Sequence, residues 1–210
     1  MVCEGQGWSV PVDALARVGD AERDDNPAAA ALRVALRARP EGETPELPTA
    51  GWIEVDRDDA AVRYAVLRDR ALLVFATIEQ RLGWELTGFG DCQLTPQLPP
   101  GAGPASFRVA PGSDMTERVT ELDVLVTELA CSSGRDARGR ILTPVILPGD
   151  EAITIILAVL GREGPQECPG NPETPFTIEL PEPLGGRMLL DGSEIPLRDA
   201  TTCPAVAACP

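Results

Sequence analysis

Hydrophobic and polar positions along the chain repeat in two ways, and the change between them divides the sequence. From residue 24 to 40 the chain reads DDNPAAAALRVALRARP, with Leu32, Ala35 and Leu36 on one face of a helical repeat. Asn26 suits the N-cap and Pro27 the first helical position, while Asp24 and Asp25 favour the positive end of the helix dipole. Pro40 ends the run. A shorter helical turn is expected in VDALARV, before it, and PEGETPELP reads as a polar, Pro-rich connector.

The period then becomes two. GWIEVD, AVRYAVL, ALLVFATIEQ and GWELTGF alternate as strands do, and the short polar links DRDD, RDR and RLG separate them. Short links between alternating runs predict an antiparallel meander. With the helix laid on one face, residues 1–94 make an α+β unit. TPQLPPGAGPAS is rich in Pro and Gly, so residues 95–106 are expected as a linker. Beyond it every periodic run is strand-like: RVTELDVLVTELA, RILTPVIL, AITIILAVL, TPFTIEL and GRMLL. PGDE reads as a hairpin turn, and DGS as a tight turn into EIPL. Residues 107–210 are therefore expected as an antiparallel β-sandwich, and the fold class as α+β followed by all-β.

Composition narrows the chemistry. The chain has 210 residues and a net charge of −15. An acidic excess of that size repels phosphate backbones and anionic headgroups, so nucleic acid is not an expected partner. No apolar run is long enough to span a bilayer. There is no histidine, and all basic residues are arginine. Within this sequence that excludes Ser-His-Asp and Cys-His catalysis, imidazole-ligated metals, Schiff bases and a P-loop lysine. No cofactor is implied. Aromatic residues are only 4%, so the core relies on aliphatic side chains, and covalent staples would help it.

The six cysteines, Cys3, Cys92, Cys131, Cys168, Cys203 and Cys209, form no C-x-x-C pair, and four of them adjoin turn residues. The pattern predicts three disulfides in an oxidising compartment. Fifteen connectivities are open, and Cys131–Cys168 is favoured because the two bound the same β block. It closes a loop of about 37 residues, a stabilisation of roughly 3–4 kcal/mol. Cys3–Cys92 and Cys203–Cys209 complete the reading.

DNPAAAALR, GWELTGFGDC, TELACSSGRDARGRI and CPGNPETPFTIELPEPLGGRMLLDG, in that order, resemble a group of uncharacterised secreted proteins of high-GC Gram-positive bacteria. The resemblance spans roughly residues 26–197. It implies an extracellular or cell-envelope location and carries no activity. Such proteins carry a leader, none precedes MVCEGQGW, and a mature form is therefore expected.

Candidate sites remain few. Asp56, Asp58 and Asp59 in DRDD offer oxygen ligands for Ca²⁺, although the glycine and glutamate of an EF-hand loop are missing and a solvated turn is the simpler reading. Trp8, Trp52 and Trp84 offer a sugar-stacking platform, against ordinary core packing. Arg135, Arg138 and Arg140 form the one basic cluster, a contact for an acidic partner or a solvated loop. Glu121 with Asp123, and Glu179 with Glu182, are carboxylate pairs of the kind hydrolases use. The expected function is a non-catalytic secreted or cell-envelope module that binds an unknown protein or glycan, or serves structure. The alternative is an extracellular hydrolase working with carboxylates alone.

Overall fold

The computed structural model describes residues 1–3, 9–11, 19–38, 46–68, 72–193 and 195–203. It divides into two compact units, Met1–Thr95 and Pro96–Pro210. Strand is the prevailing regular structure of the described residues, with one α-helix and mainly antiparallel sheets, as the periodicities require.

In the first unit helix α1 covers Pro27–Ala38. Asn26 caps it as expected, its Oδ1 accepting the Ala29 N–H at 2.9 Å. The expected helical turn at residues 12–18 lies outside the described residues. Five strands form one antiparallel sheet: β1 (Val2–Cys3), β2 (Ile53–Arg57), β3 (Ala61–Leu67), β4 (Leu72–Gln80) and β5 (Trp84–Thr95), in the order β1-β5-β4-β3-β2. Alternate residues Val62 and Tyr64 of β3 and Val74, Ala76 and Ile78 of β4 turn to one face. There they bury Leu32 of α1 and Trp52.

Strand β5 runs on through GDCQLT, beyond the expected GWELTGF. Gly90 permits this, because a Cβ there would sit 2.9 Å from Cζ of Phe75 across the ladder. The strand also carries a bulge. Leu86 pairs with Ile78 and Gly88 with Thr77, which leaves Thr87 without an opposite number.

The second unit contains β6 (Ala102–Val109), β7 (Glu121–Glu128), β8 (Val145–Pro148), β9 (Ala152–Leu160), β10 (Thr174–Glu179), β11 (Met188–Asp191) and β12 (Arg198–Asp199). The strand order is β10-β7-β6-β9-β11-β12, with β8 paired to β9. One pair departs from the antiparallel expectation: β11 runs parallel to β9. Inward residues Phe107, Leu122, Val124, Val126 and Ile178 share a core with Ile153, Ile155, Leu157 and Val159 of β9. PGDE is the hairpin turn expected, with Gly149 N–H donating to Ala152 O at 2.9 Å.

Two expectations are corrected here. Residues 102–106, assigned to a linker, are the first half of β6, and Ala105 and Ser106 are fully buried in it. Residues 195–197 of EIPL form no strand. The chain passes through a cis Ile195–Pro196 bond and returns to β11 as Arg198–Asp199.

Candidate functional site

An open groove of about 780 Å³ runs between α1 and β5. Pro27, Ala30, Ala31, Val34, Ala35 and Ala38 line it from the helix. Trp84, Glu85, Leu86 and Phe89 line it from the strand. The helix is alanine-rich on this side, and these short side chains leave a slot that larger ones would fill. Val34 is 66% exposed and Phe89 38%, although both are large apolar residues. The turn leading into β5 places Leu82 fully in solvent. Apolar surface gathered in this way marks a place for contact with another molecule. Among the described residues Glu85 is the one charged lining residue, and Arg81 Nε approaches its carboxylate at 3.9 Å.

Trp52 and Trp84 do not share an exposed face. Trp52 is fully buried. Its indole N–H donates to Pro48 O at 2.8 Å, its backbone N–H donates to Glu22 Oε2 at 3.2 Å, and its carbonyl accepts the Ala21 N–H at 2.8 Å. Trp84 packs against the same core while keeping one side in the groove. Trp8 lies outside the described residues. Val34 and Phe89 were not singled out in the sequence, where each reads as one more apolar position in its period.

The aspartates of DRDD do not converge on a cation. Asp58 Oδ1 accepts the Ala60 and Ala61 N–H groups, each at 2.8 Å, and these bonds hold its carboxyl below the ordinary aspartate range. Asp56 pairs with Arg63 across the β2–β3 ladder. Among the described residues no group of potential ligands is placed to hold a metal.

The arginine cluster is also divided. Arg140 is held by the buried Glu128, with Nη1 donating to Oε1 at 2.9 Å, and this bond raises the pKa of its guanidinium. Arg135 donates to Gln166 Oε1 at 2.8 Å, and Arg138 is exposed. Arg162 joins them, donating to Asp136 O at 2.9 Å. Burial first, then the charges of Arg140 and Arg135, lower its pKa. These side chains tie loop carbonyls together, and no single basic face results.

The carboxylate pairs are likewise engaged. Asp123 accepts the Thr177 hydroxyl at 2.8 Å, and Glu182 pairs with Arg187 at 2.5 Å. Glu121 stands opposite Glu179 on the β7–β10 ladder.

Two disulfides close the described chain. Cys3 pairs with Cys92, which fastens β1 to the sheet near the end of β5, at a Cα separation of 5.5 Å. Cys131 pairs with Cys168 at 4.7 Å. Around that second bridge Ser133 and Gly134 both adopt positive φ, 56° and 69°. Ser133 N–H donates to Glu167 O at 2.9 Å. Asn171 Nδ2 donates to the carbonyls of Glu128 and Ala130, at 2.7 and 2.6 Å. The CPGN turn is thereby pinned to the end of β7 just before β10 begins. Cys209, and with it the Cys203–Cys209 pairing, lies outside the described residues.

No family model, no curated protein and no solved structure matches the chain.

Proposed function

We propose that this chain is a secreted or cell-envelope binding module that holds an apolar segment of a partner protein in the groove between α1 and β5. One observation carries the reading. Val34, Phe89 and one side of Trp84 face an open slot, where monomeric proteins keep large apolar groups covered. The lining favours a protein segment over a glycan, because among the described lining side chains Glu85 alone is charged and sugar sites need several polar groups around an aromatic face. Two disulfides, and the lack of any described helix able to cross a membrane, support an oxidising, extracytoplasmic setting. In this reading the first unit presents a meander under a helix, and the second is a sandwich-like β module that gives structure.

Nile red, an uncharged apolar dye, tests the site. It is expected to bind one per chain, with energy transfer from tryptophan. Val34→Gln should weaken that binding by about tenfold, since it puts a polar group at the centre of the contact. Dye binding that is absent, or that Val34→Gln leaves unchanged, overturns the reading. Tight capture of a neutral glycan with no dye binding would replace the proposed partner class.

A further inference from the structure

We propose that the Cys131–Cys168 bridge is a covalent exchange site, at which an incoming thiolate forms a mixed disulfide with Cys168. The bridge lies in the second unit, and the proposal does not depend on the groove.

A disulfide acts as a staple when it joins segments that would otherwise part. Here other bonds already join them. Ser133 N–H donates to Glu167 O at 2.9 Å, and Glu167 N–H donates back to Ser133 Oγ at 3.1 Å. Arg135 Nη2 donates to Gln166 Oε1 at 2.8 Å. Asn171 Nδ2 holds the carbonyls of Glu128 and Ala130. Pro169 lies against Gly134, where a Cβ would come within 3.3 Å of Pro169 Cγ. These contacts flank both cysteines, whose Cα atoms stand 4.7 Å apart. With the S–S bond open, they keep the two residues adjacent.

Access selects the sulfur. Cys168 stands in the run Glu167–Gly170, every residue of which is exposed. Cys131 is exposed too, but Ser132 beside it is fully buried. The incoming thiolate therefore attacks Sγ of Cys168. A new S–S bond forms there, the old one breaks, and its electron pair leaves with Cys131 as a thiolate. No oxidant or reductant is consumed. In the reverse step the Cys131 thiolate attacks Cys168 Sγ, restores the bridge and expels the incoming group. That step is intramolecular and gains from the adjacency that the flanking bonds preserve. The co-reactant is an accessible alkyl thiol, free in solution or carried by a protein.

The test uses the whole native protein and reduced glutathione, with alkylation at short times and mapping of the products. One glutathione is expected on Cys168 and one alkyl group on Cys131, with Cys3 and Cys92 unmodified. In a parallel sample without alkylation, removing free glutathione should release the adduct and restore the bridge with no added oxidant. Ser133 has φ 56°, so Ser133→Gly removes its hydroxyl without backbone strain. Combined with Arg135→Gln, it should slow the return about tenfold and leave the first attack unchanged. A general loss of fold would change both rates. A single-cysteine protein in place of glutathione separates the sources: an adduct extends the site to protein thiols, and glutathione adducts alone assign it to small ones. No adduct in native protein, a first adduct on Cys131, or an adduct that persists after glutathione is removed overturns the proposal. A return as fast in the double variant as in the parent overturns the role given to the flanking bonds.

Discussion

Arg140 and Glu128 form a forked ion pair, Nη1 donating to Oε1 and Nη2 to Oε2, with the carboxylate side chain only 2% exposed. Glu128 ends β7 and Arg140 lies in the segment that follows Cys131, so the pair fixes that segment to the end of the strand. Removing the carboxylate leaves a largely buried guanidinium with only the carbonyls of Asp136 and Leu160 as hydrogen-bond partners among the described residues. Glu128→Ala is expected to cost about 3–5 kcal/mol in denaturant unfolding. Replacing both groups with apolar ones, Glu128→Leu with Arg140→Met, should cost far less than the single change. Equal costs for the single and the double variant would show that the pair's charges are not coupled.

Tyr64 is the only tyrosine and is fully buried, and among the described residues its hydroxyl makes no hydrogen bond of normal geometry, with the Arg57 guanidinium acting on it. Burial first, then the charge of Glu54, pushes its pKa up to about 12 from 10.0. The neutral phenol is therefore the form that the fold retains. The contribution is complete below pH 10 and is lost as pH rises from there toward about 12, where the unfolded chain ionises and the folded one does not. Tyrosinate absorbance, to which the single residue gives one clean transition, should appear near pH 10 in denaturant and about two units higher in the folded protein. Tyr64→Phe should be neutral or slightly stabilising, because it deletes a buried hydroxyl that has no well-formed hydrogen bond among the described residues. A folded-state transition near 10 would place that hydroxyl in water.

The helix was legible because local signals agree: Asn26 and Pro27 start it, alanines fill it, and Pro40 stands just beyond its end. Strands β2, β3 and β4 were legible by their period, which depends on one buried face. The missed elements depend on partners distant in sequence. Gly90 and Asp91 argue against a strand locally, yet β4 pairs with both of them. Pro104 suggests a linker, yet it lies opposite Ala158 in β6. The groove could not be read at all, since its floor and wall are separate segments whose apolar residues look like ordinary core. Trp84 was picked out, but as a platform with Trp52, which the fold buries. Glu128 is one acid among 33, and nothing near it in sequence distinguishes it from a surface residue.

The two described disulfides differ in access, and that difference is testable. Cys3 and Cys92 are 2% and 6% exposed, whereas Cys131 and Cys168 both lie at the surface. Reduction proceeds by attack of a thiolate on one sulfur, so reach decides the order. In native protein a dilute thiol should open Cys131–Cys168 first, and alkylation followed by mapping should place the labels there while Cys3 and Cys92 stay unmodified. The bridge spans 37 residues, so its loss should lower stability by about 4 kcal/mol at most. The measured cost should be smaller, because Ser133–Glu167, Arg135–Gln166 and the Asn171 bonds still hold the two loops together. Opening Cys3–Cys92 frees β1, the strand that occupies the end of the β5 edge. It should therefore need denaturant. Native labelling of Cys92 ahead of Cys131 would mean that the end of β5 opens more readily than the surface loop, which its burial does not allow.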